Sequence, residues 1–343
     1  LSHLIYFQNP GDNIRNTAEW QRLKPQISLD RGSFIRVFLA DFNQDGTLEV
    51  VSPNKGAQDP TRARQEPRPI SVFEISGDPL DDAAWREHVL TEVPWPINSE
   101  PVDLDRDGDL DIVAGTVAEQ RMMWFENVSR GGRLDFIERP IDITAAEGAP
   151  DDLRVHAFNM DYADLNADGR LDIVTLDTPP LIGQRLVWLA QPAQAGDPWK
   201  YSVISNYAPD YVVGIRLADI DGDGDADVMT GGYSGIGGGP DARRSDLPTP
   251  DGALGRLAWF ENVTDDSGTV AWREHSFSRR QRGMFDMFIA TDVDRDGDID
   301  FAGTRGNSGT YDGVFWLEQV RTDAAGRAFE HARASESPEV ALP

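Results

Sequence analysis

Short runs of apolar or alternating apolar and polar residues recur along the chain, separated by clusters of Gly, Pro, Asp and Asn. Alternation with period two puts one face of a strand on a core, and no stretch presents a convincing apolar face at helical spacing. Ile35 to Ala40, Leu48 to Ser52, Pro69 to Ile75 and Trp85 to Leu90 are therefore read as four successive strands. The 22 prolines and 32 glycines fall mostly between such runs, as strand connections require.

The pattern repeats. Asp41 to Glu49 (DFNQDGTLE), Asp103 to Asp111 (DLDRDGDLD), Asp164 to Asp172 (DLNADGRLD), Asp219 to Asp227 (DIDGDGDAD) and Asp292 to Asp300 (DVDRDGDID) share one template, with starts 62, 61, 55 and 73 residues apart. A strand signature keeps the same phase: Tyr6 to Asn9 (YFQN), Trp124 to Asn127 (WFEN), Trp188 to Gln191 (WLAQ), Trp259 to Asn262 (WFEN) and Trp316 to Gln319 (WLEQ), with the weaker Val72 to Ile75 (VFEI). Trp20, Trp85, Phe136, Trp199, Trp272 and Phe329 each then open a further alternating stretch. A period of this length suits a four-stranded sheet with its loops, and sheets arranged radially hide all but short edges. The expected fold is all-β: one β-propeller over residues 1–343, with four-stranded antiparallel blades at approximately 31–94, 95–150, 151–210, 211–279 and 280–343. Residues 1–30 form a partial repeat, giving six blade positions. The third and fourth strands occur six times and the first two only five, so an upstream inner pair of roughly 30 residues is expected to complete the ring.

Charge narrows the partners. With 59 acidic and 32 basic residues the net charge is −27, which argues against nucleic acid and against anionic membrane surfaces. No apolar run is long enough for a membrane span. Cysteine is absent, so thiol nucleophiles, redox pairs and cysteine-ligated zinc are excluded.

The five loops hold 21 of the acidic residues in the form D-x-[DN]-x-D-G-x-x-[DE]. Side-chain oxygens at positions one, three, five and nine and a backbone carbonyl at seven can wrap a hard cation, and glycine at six permits the bend. Calcium suits such a flexible oxygen set better than magnesium. Up to five Ca2+ sites are expected: Asp41, Asn43, Asp45, Thr47 and Glu49; Asp103, Asp105, Asp107, Asp109 and Asp111; Asp164, Asn166, Asp168, Arg170 and Asp172; Asp219, Asp221, Asp223, Asp225 and Asp227; Asp292, Asp294, Asp296, Asp298 and Asp300. The first and third, with Asn at position three, carry less charge and are expected to bind more weakly. An EF-hand would need Glu at position twelve, where this chain has Ser52, Ala114, Thr175, Thr230 and Gly303.

Loops of this type, each followed by a WFEN-like strand, resemble the FG-GAP or VCBS repeat family of β-propellers, and the resemblance runs from about Leu4 to about Arg333. It implies the propeller fold and calcium, and says little about activity. The same repeat occurs in integrin α-subunit heads, bacterial surface and secreted proteins, and sugar-acting lyases and dehydratases.

If the acidic loops join first to second strands, the connections from second to third strand and from one blade to the next lie on the opposite face and can build a binding surface. Lys55, Arg62, Arg64 and Arg68 on one such loop, and Arg279, Arg280 and Arg282 on another, suggest an anionic ligand such as a carboxylated glycan. Candidate contacts are Trp95, Asn98, Tyr233, Arg282, Arg305, Asn307 and Tyr311. His88, His275 and His331 recur at one position of the fourth strand and read as structural, and His3 lies near the chain start, leaving His156 at an unrepeated position on a blade entry strand. Two further readings stay open. One is a sugar-acting lyase or dehydratase with candidate catalytic residues His156, Arg216, Arg282, Arg305 and Tyr311 at a channel mouth, and the other is a protein-interaction head resembling integrin α-subunits. Calcium loops of modest affinity fill outside the cytosol, so an extracellular or periplasmic location is expected.

Overall fold

The computed structural model describes residues 3–57, 59–145, 153, 155–177, 185–234, 254–264, 269–280, 283–306, 313–320 and 329–331. These residues form β-sheets with one short α-helical turn, α1 (Pro60–Ala63), and three 3-10 turns, and packing divides the chain into two compact units, Leu1–Asp142 and Ile143–Pro343.

The first unit begins with a two-stranded sheet, β1 (Tyr6–Phe7) and β2 (Arg22–Leu23), at the place of the half repeat. The next sheet contains β3 (Ser33–Phe34), β4 (Phe38–Ala40), β5 (Glu49–Gly56), β6 (Pro67–Ile75) and β7 (Trp85–Pro94). β3 and β4 both pair with β5 and together replace the single strand expected over Ile35 to Ala40. Between them Arg36 adopts a left-handed φ of 54°, which interrupts the ladder. The last sheet of this unit is an antiparallel meander of β8 (Pro96–Val102), β9 (Asp111–Thr116), β10 (Arg121–Asn127) and β11 (Phe136–Pro140).

The second unit contains three such meanders. Its first sheet is β13 (Val155–Ala163), β14 (Asp172–Asp177), β15 (Arg185–Ala190) and β16 (Trp199–Asn206), extended by β12 (Ile143–Ala145), which pairs parallel to β16. The second is β17 (Val212–Ala218), β18 (Asp227–Gly232), β19 (Gly255–Asn262) and β20 (Trp272–Arg280). The third is β21 (Met284–Thr291), β22 (Asp300–Gly306), β23 (Gly313–Gln319) and β24 (Phe329–His331). The parallel β12 was not expected, because three residues carry too little periodicity to read.

Neighbouring sheets within each unit share cores. Val51, Ile70, Val72 and Val93 pack with Ile112, Ala114, Met123 and Phe125 in the first unit. In the second, Leu165, Val174 and Leu186 pack with Val228 and Phe260, and Met229 and Trp259 with Phe288 and Phe301. Approach is close where β21 crosses β17 and β18: a Cβ on Gly214 or Gly231 would lie 2.2 or 2.3 Å from the Phe285 carbonyl oxygen, so glycine sets that spacing.

Candidate metal centres

In all five complete sheets the acidic template fills the connection from first to second strand: β4 to β5, β8 to β9, β13 to β14, β17 to β18, and β21 to β22. Each loop is bent by its own carboxylates. The position-one side chain accepts the N–H of the position-six glycine, as in Gly46 to Asp41 at 2.9 Å, Gly169 to Asp164 at 2.8 Å and Gly224 to Asp219 at 3.1 Å. The position-three oxygen accepts the position-five N–H, seen for Asn43, Asp105, Asn166, Asp221 and Asp294 at 3.0 to 3.2 Å. Position five accepts in turn from position seven. Two successive bends need left-handed backbone, at position four (Gln44, Arg106, Ala167, Gly222 and Arg295, φ 55 to 82°) and at the position-six glycine (φ 88 to 101°). The requirement at position four was invisible in the sequence, because four different residue types satisfy it.

Position nine plays a part that the sequence reading gave simply to the ion. Glu49, Asp111, Asp172, Asp227 and Asp300 are at most 1% exposed. One oxygen accepts the position-two N–H (Phe42, Leu104, Leu165, Ile220 and Val293, 2.9 to 3.3 Å). In the last four loops the other accepts the N–H of the Asn or Gln ending the WFEN-like strand: Asn127, Gln191, Asn262 and Gln319, 2.7 to 2.9 Å. The phase lock between acidic loop and aromatic strand is this bond. Burial nevertheless penalises the charge, pushing Glu49, Asp111 and Asp227 up to about 7 and Asp172 up to about 6.

Three loops gather carboxylates tightly. Asp103, Asp105 and Asp107, then Asp219, Asp221 and Asp227, then Asp292, Asp294 and Asp300 each bring oxygens within 4.8 Å of one another, a grouping that could hold a metal ion. Burial and the neighbouring Asp107 raise Asp105, and burial with Asp107 and Asp105 pushes Asp109 up to about 6. Asp221 is likewise raised by burial. Asp103 Oδ1 and Asp109 Oδ1 are buried without a hydrogen-bond donor among the described residues. Carboxylate oxygens that are crowded, desolvated and short of donors fit a hard cation.

The first and third loops differ, as Asn43 and Asn166 stand at position three. Asn43 Nδ2 donates to Gly132 O at 3.2 Å. In the third loop the guanidinium of Arg170 sits on Asp168 and also donates from Nε to the Gln191 carbonyl at 3.1 Å, placing a covalently tethered cation on a carboxylate expected to bind metal.

The ligand candidates are placed unevenly. Trp95 is 2% exposed, with the Arg64 guanidinium 4.8 Å above its ring, and Asn98 is fully buried, donating from Nδ2 to Glu100 at 2.6 Å. Tyr233 bridges Met284, and Arg305 is buried 5.9 Å from the Phe285 ring. Arg216 is exposed and lies 3.6 Å from Asp161. Arg282, Asn307, Tyr311 and the His156 side chain lie outside the described residues. His88 and His275 are structural: their Nε2 atoms lie 3.0 Å from Glu74 and 2.7 Å from Glu261, each glutamate belonging to the preceding strand's aromatic signature.

The family model of the FG-GAP-like repeat matches residues 103–175 and 164–230. Each match runs from position one of an acidic loop to position twelve of the next. No curated protein matches the chain. Among the described residues no helix is long and apolar enough to cross a membrane.

Proposed function

We infer, from a chain that carries FG-GAP-like repeats, that it is a calcium-stabilised β-propeller serving as a binding module outside the cytosol. The observation that carries the reading is the three-carboxylate group found at the same point of three sheets. Within these groups Asp103 Oδ1 is buried with no donor among the described residues, and burial with the neighbouring carboxylates raises Asp105 and Asp221. Calcium would be held by Asp103, Asp105 and Asp107, by Asp219, Asp221 and Asp227, and by Asp292, Asp294 and Asp300, neutralising a charge density that otherwise opposes the folded loop. The five complete sheets are then blades, and the half repeat at β1 and β2 contributes to a sixth.

The binding role follows from division of labour. Short acidic connections are committed to the ion, while the longer connections at the other ends of the strands remain for a ligand, for which carbohydrate or another anionic molecule is the chemical class. Millimolar calcium outside the cytosol would keep loops of modest affinity filled.

Thermal melting with excess calcium and after chelation tests the reading. Calcium should raise the melting temperature by several degrees or more, with saturation between three and five ions per chain counted by equilibrium dialysis. An unchanged melt, with metal removal verified by elemental analysis, rejects it.

A further inference from the structure

The geometry points to an oxyanion-binding site in the first unit, built by Lys55, Arg64, Arg68, Trp95 and Ser99 at the strand ends remote from the acidic loops. It takes a ligand bearing a carboxylate or phosphate group. This inference rests on the reading of the chain as a binding module and names where and what it binds.

Strand register brings the residues together. Ser99 pairs with Ala114, and residues directly opposite in a ladder share a face. Ala114 belongs to the core between the two neighbouring sheets, with Val51 and Val93, so Ser99 faces that interlayer. Arg68 pairs with Val93 and shares its face, and Pro67 pairs with Pro94, which directly precedes Trp95. Lys55 lies four residues beyond Val51 on β5, which packs against β8. Arg64 follows α1 and lies on the Trp95 ring.

Three features distinguish this cluster from ordinary surface charge. Ser99 Oγ, Trp95 Nε1 and Arg68 Nε are buried and have no hydrogen-bond partner among the described residues, and Ser99 is fully buried and Trp95 nearly so. Such donors are costly unless something accepts from them. Burial lowers the Lys55 pKa, as expected of an ammonium in a partly dry site. Charge is locally inverted: residues 55 to 68 hold Lys55, Arg62, Arg64 and Arg68 against Asp59 and Glu66, in a chain of net charge −27. Glu66 is committed to Arg62 at 3.0 Å and Arg68 at 2.7 Å, while Arg64 forms no ion pair among the described residues. A forked guanidinium, an ammonium and neutral N–H and O–H donors around an aromatic ring suit an oxyanion with hydroxyl groups beside it.

Isothermal titration of the full chain in saturating calcium, with trigalacturonate, inorganic phosphate and maltotriose as probes, tests the site. Trigalacturonate or phosphate should bind, maltotriose should not, and R64A should weaken the binding at least tenfold without moving the calcium-dependent melt. W95F, which removes the indole N–H but keeps a ring, should weaken it severalfold and covers the case in which R64A disturbs the α1 turn. Tighter trigalacturonate binding assigns a carboxylated saccharide; tighter phosphate binding assigns a phosphorylated ligand. Absence of both, or binding insensitive to R64A and W95F, overturns the site while a retained calcium shift leaves the scaffold reading standing. Loss of the calcium shift in the parent chain rejects that reading instead.

Discussion

Asn127 and Phe42 belong to adjacent sheets, and the Asn127 Nδ2 donates to the Phe42 carbonyl at 2.8 Å. The same amide donates to the Leu110 carbonyl at 2.9 Å, and the Asn127 backbone N–H donates to Asp111 at 2.7 Å. One buried side chain thus ties an acidic loop to the loop of the preceding sheet. The second unit repeats the device: Asn262 Nδ2 reaches Leu165 O at 3.3 Å, and Gln319 Nε2 reaches Ile220 O at 2.9 Å and Ile299 O at 3.2 Å.

Truncation of that side chain leaves two carbonyls short of a donor. N127A should therefore cost roughly 2–3 kcal/mol, about one hydrogen bond's net worth for each contact plus part of the desolvation penalty. Chemical denaturation in saturating calcium measures it. N262A should behave alike in the second unit, and a loss below about 0.5 kcal/mol for both would show that the amide does not hold the loops together.

Arg170 supplies the third loop with its own cation, so R170A should act most strongly when metal is absent. The guanidinium on Asp168 and the Nε bond to Gln191 are both lost, leaving carboxylates that only an added ion can neutralise. The melting temperature of R170A should fall further below the parent after chelation than in calcium. Equal losses in both conditions would mean that Arg170 acts through its carbonyl contact alone.

The phase of the acidic loops against the aromatic strands was legible in the sequence because both ends of one bond recur: the position-nine carboxylate and the Asn or Gln that closes WFEN or WLEQ. The four-strand meander was legible because turn residues and period-two runs alternate regularly. What stayed hidden depends on conformation rather than residue type. The left-handed position four tolerates Gln, Arg, Ala and Gly, and the break at Arg36 has no glycine to announce it. The burial of Trp95 beneath Arg64 joins residues that are remote in sequence, and neither segment carries a pattern that predicts the pairing.

Asp294 belongs to a three-carboxylate group and is spared the double backbone bonding that occupies Asp300. D294N removes one charge while keeping an oxygen for the Asp296 N–H. Native mass spectrometry at limiting calcium should therefore show one fewer bound ion, or at least a tenfold weaker last equivalent, with the sheet intact by circular dichroism. An unchanged ion count would place the metal elsewhere.

Without metal the buried position-nine carboxylates reverse the usual acid sensitivity of a protein. Burial pushes Asp111 and Asp227 up to about 7 and Asp172 up to about 6, whereas an unfolded Asp titrates near 4. Between those values the folded state binds more protons than the unfolded state, so stability decreases as pH rises through the window and the loss is complete above the folded pKa. The carboxylates held low by partners, Glu74 by the His88 hydrogen bond and Glu66 by Arg68 and Arg62, lose their contribution only below the ordinary Glu range and do not offset this slope. Melting temperatures of the chelated protein should therefore rise on acidification from about pH 8 to about pH 5. In saturating calcium the trend should flatten or invert, because the ion favours the ionised carboxylates and competes with protons for them. A chelated protein whose melt is flat or falls over that acidification would mean that these three side chains are not buried as charges, and their loops would then need no ion to neutralise them.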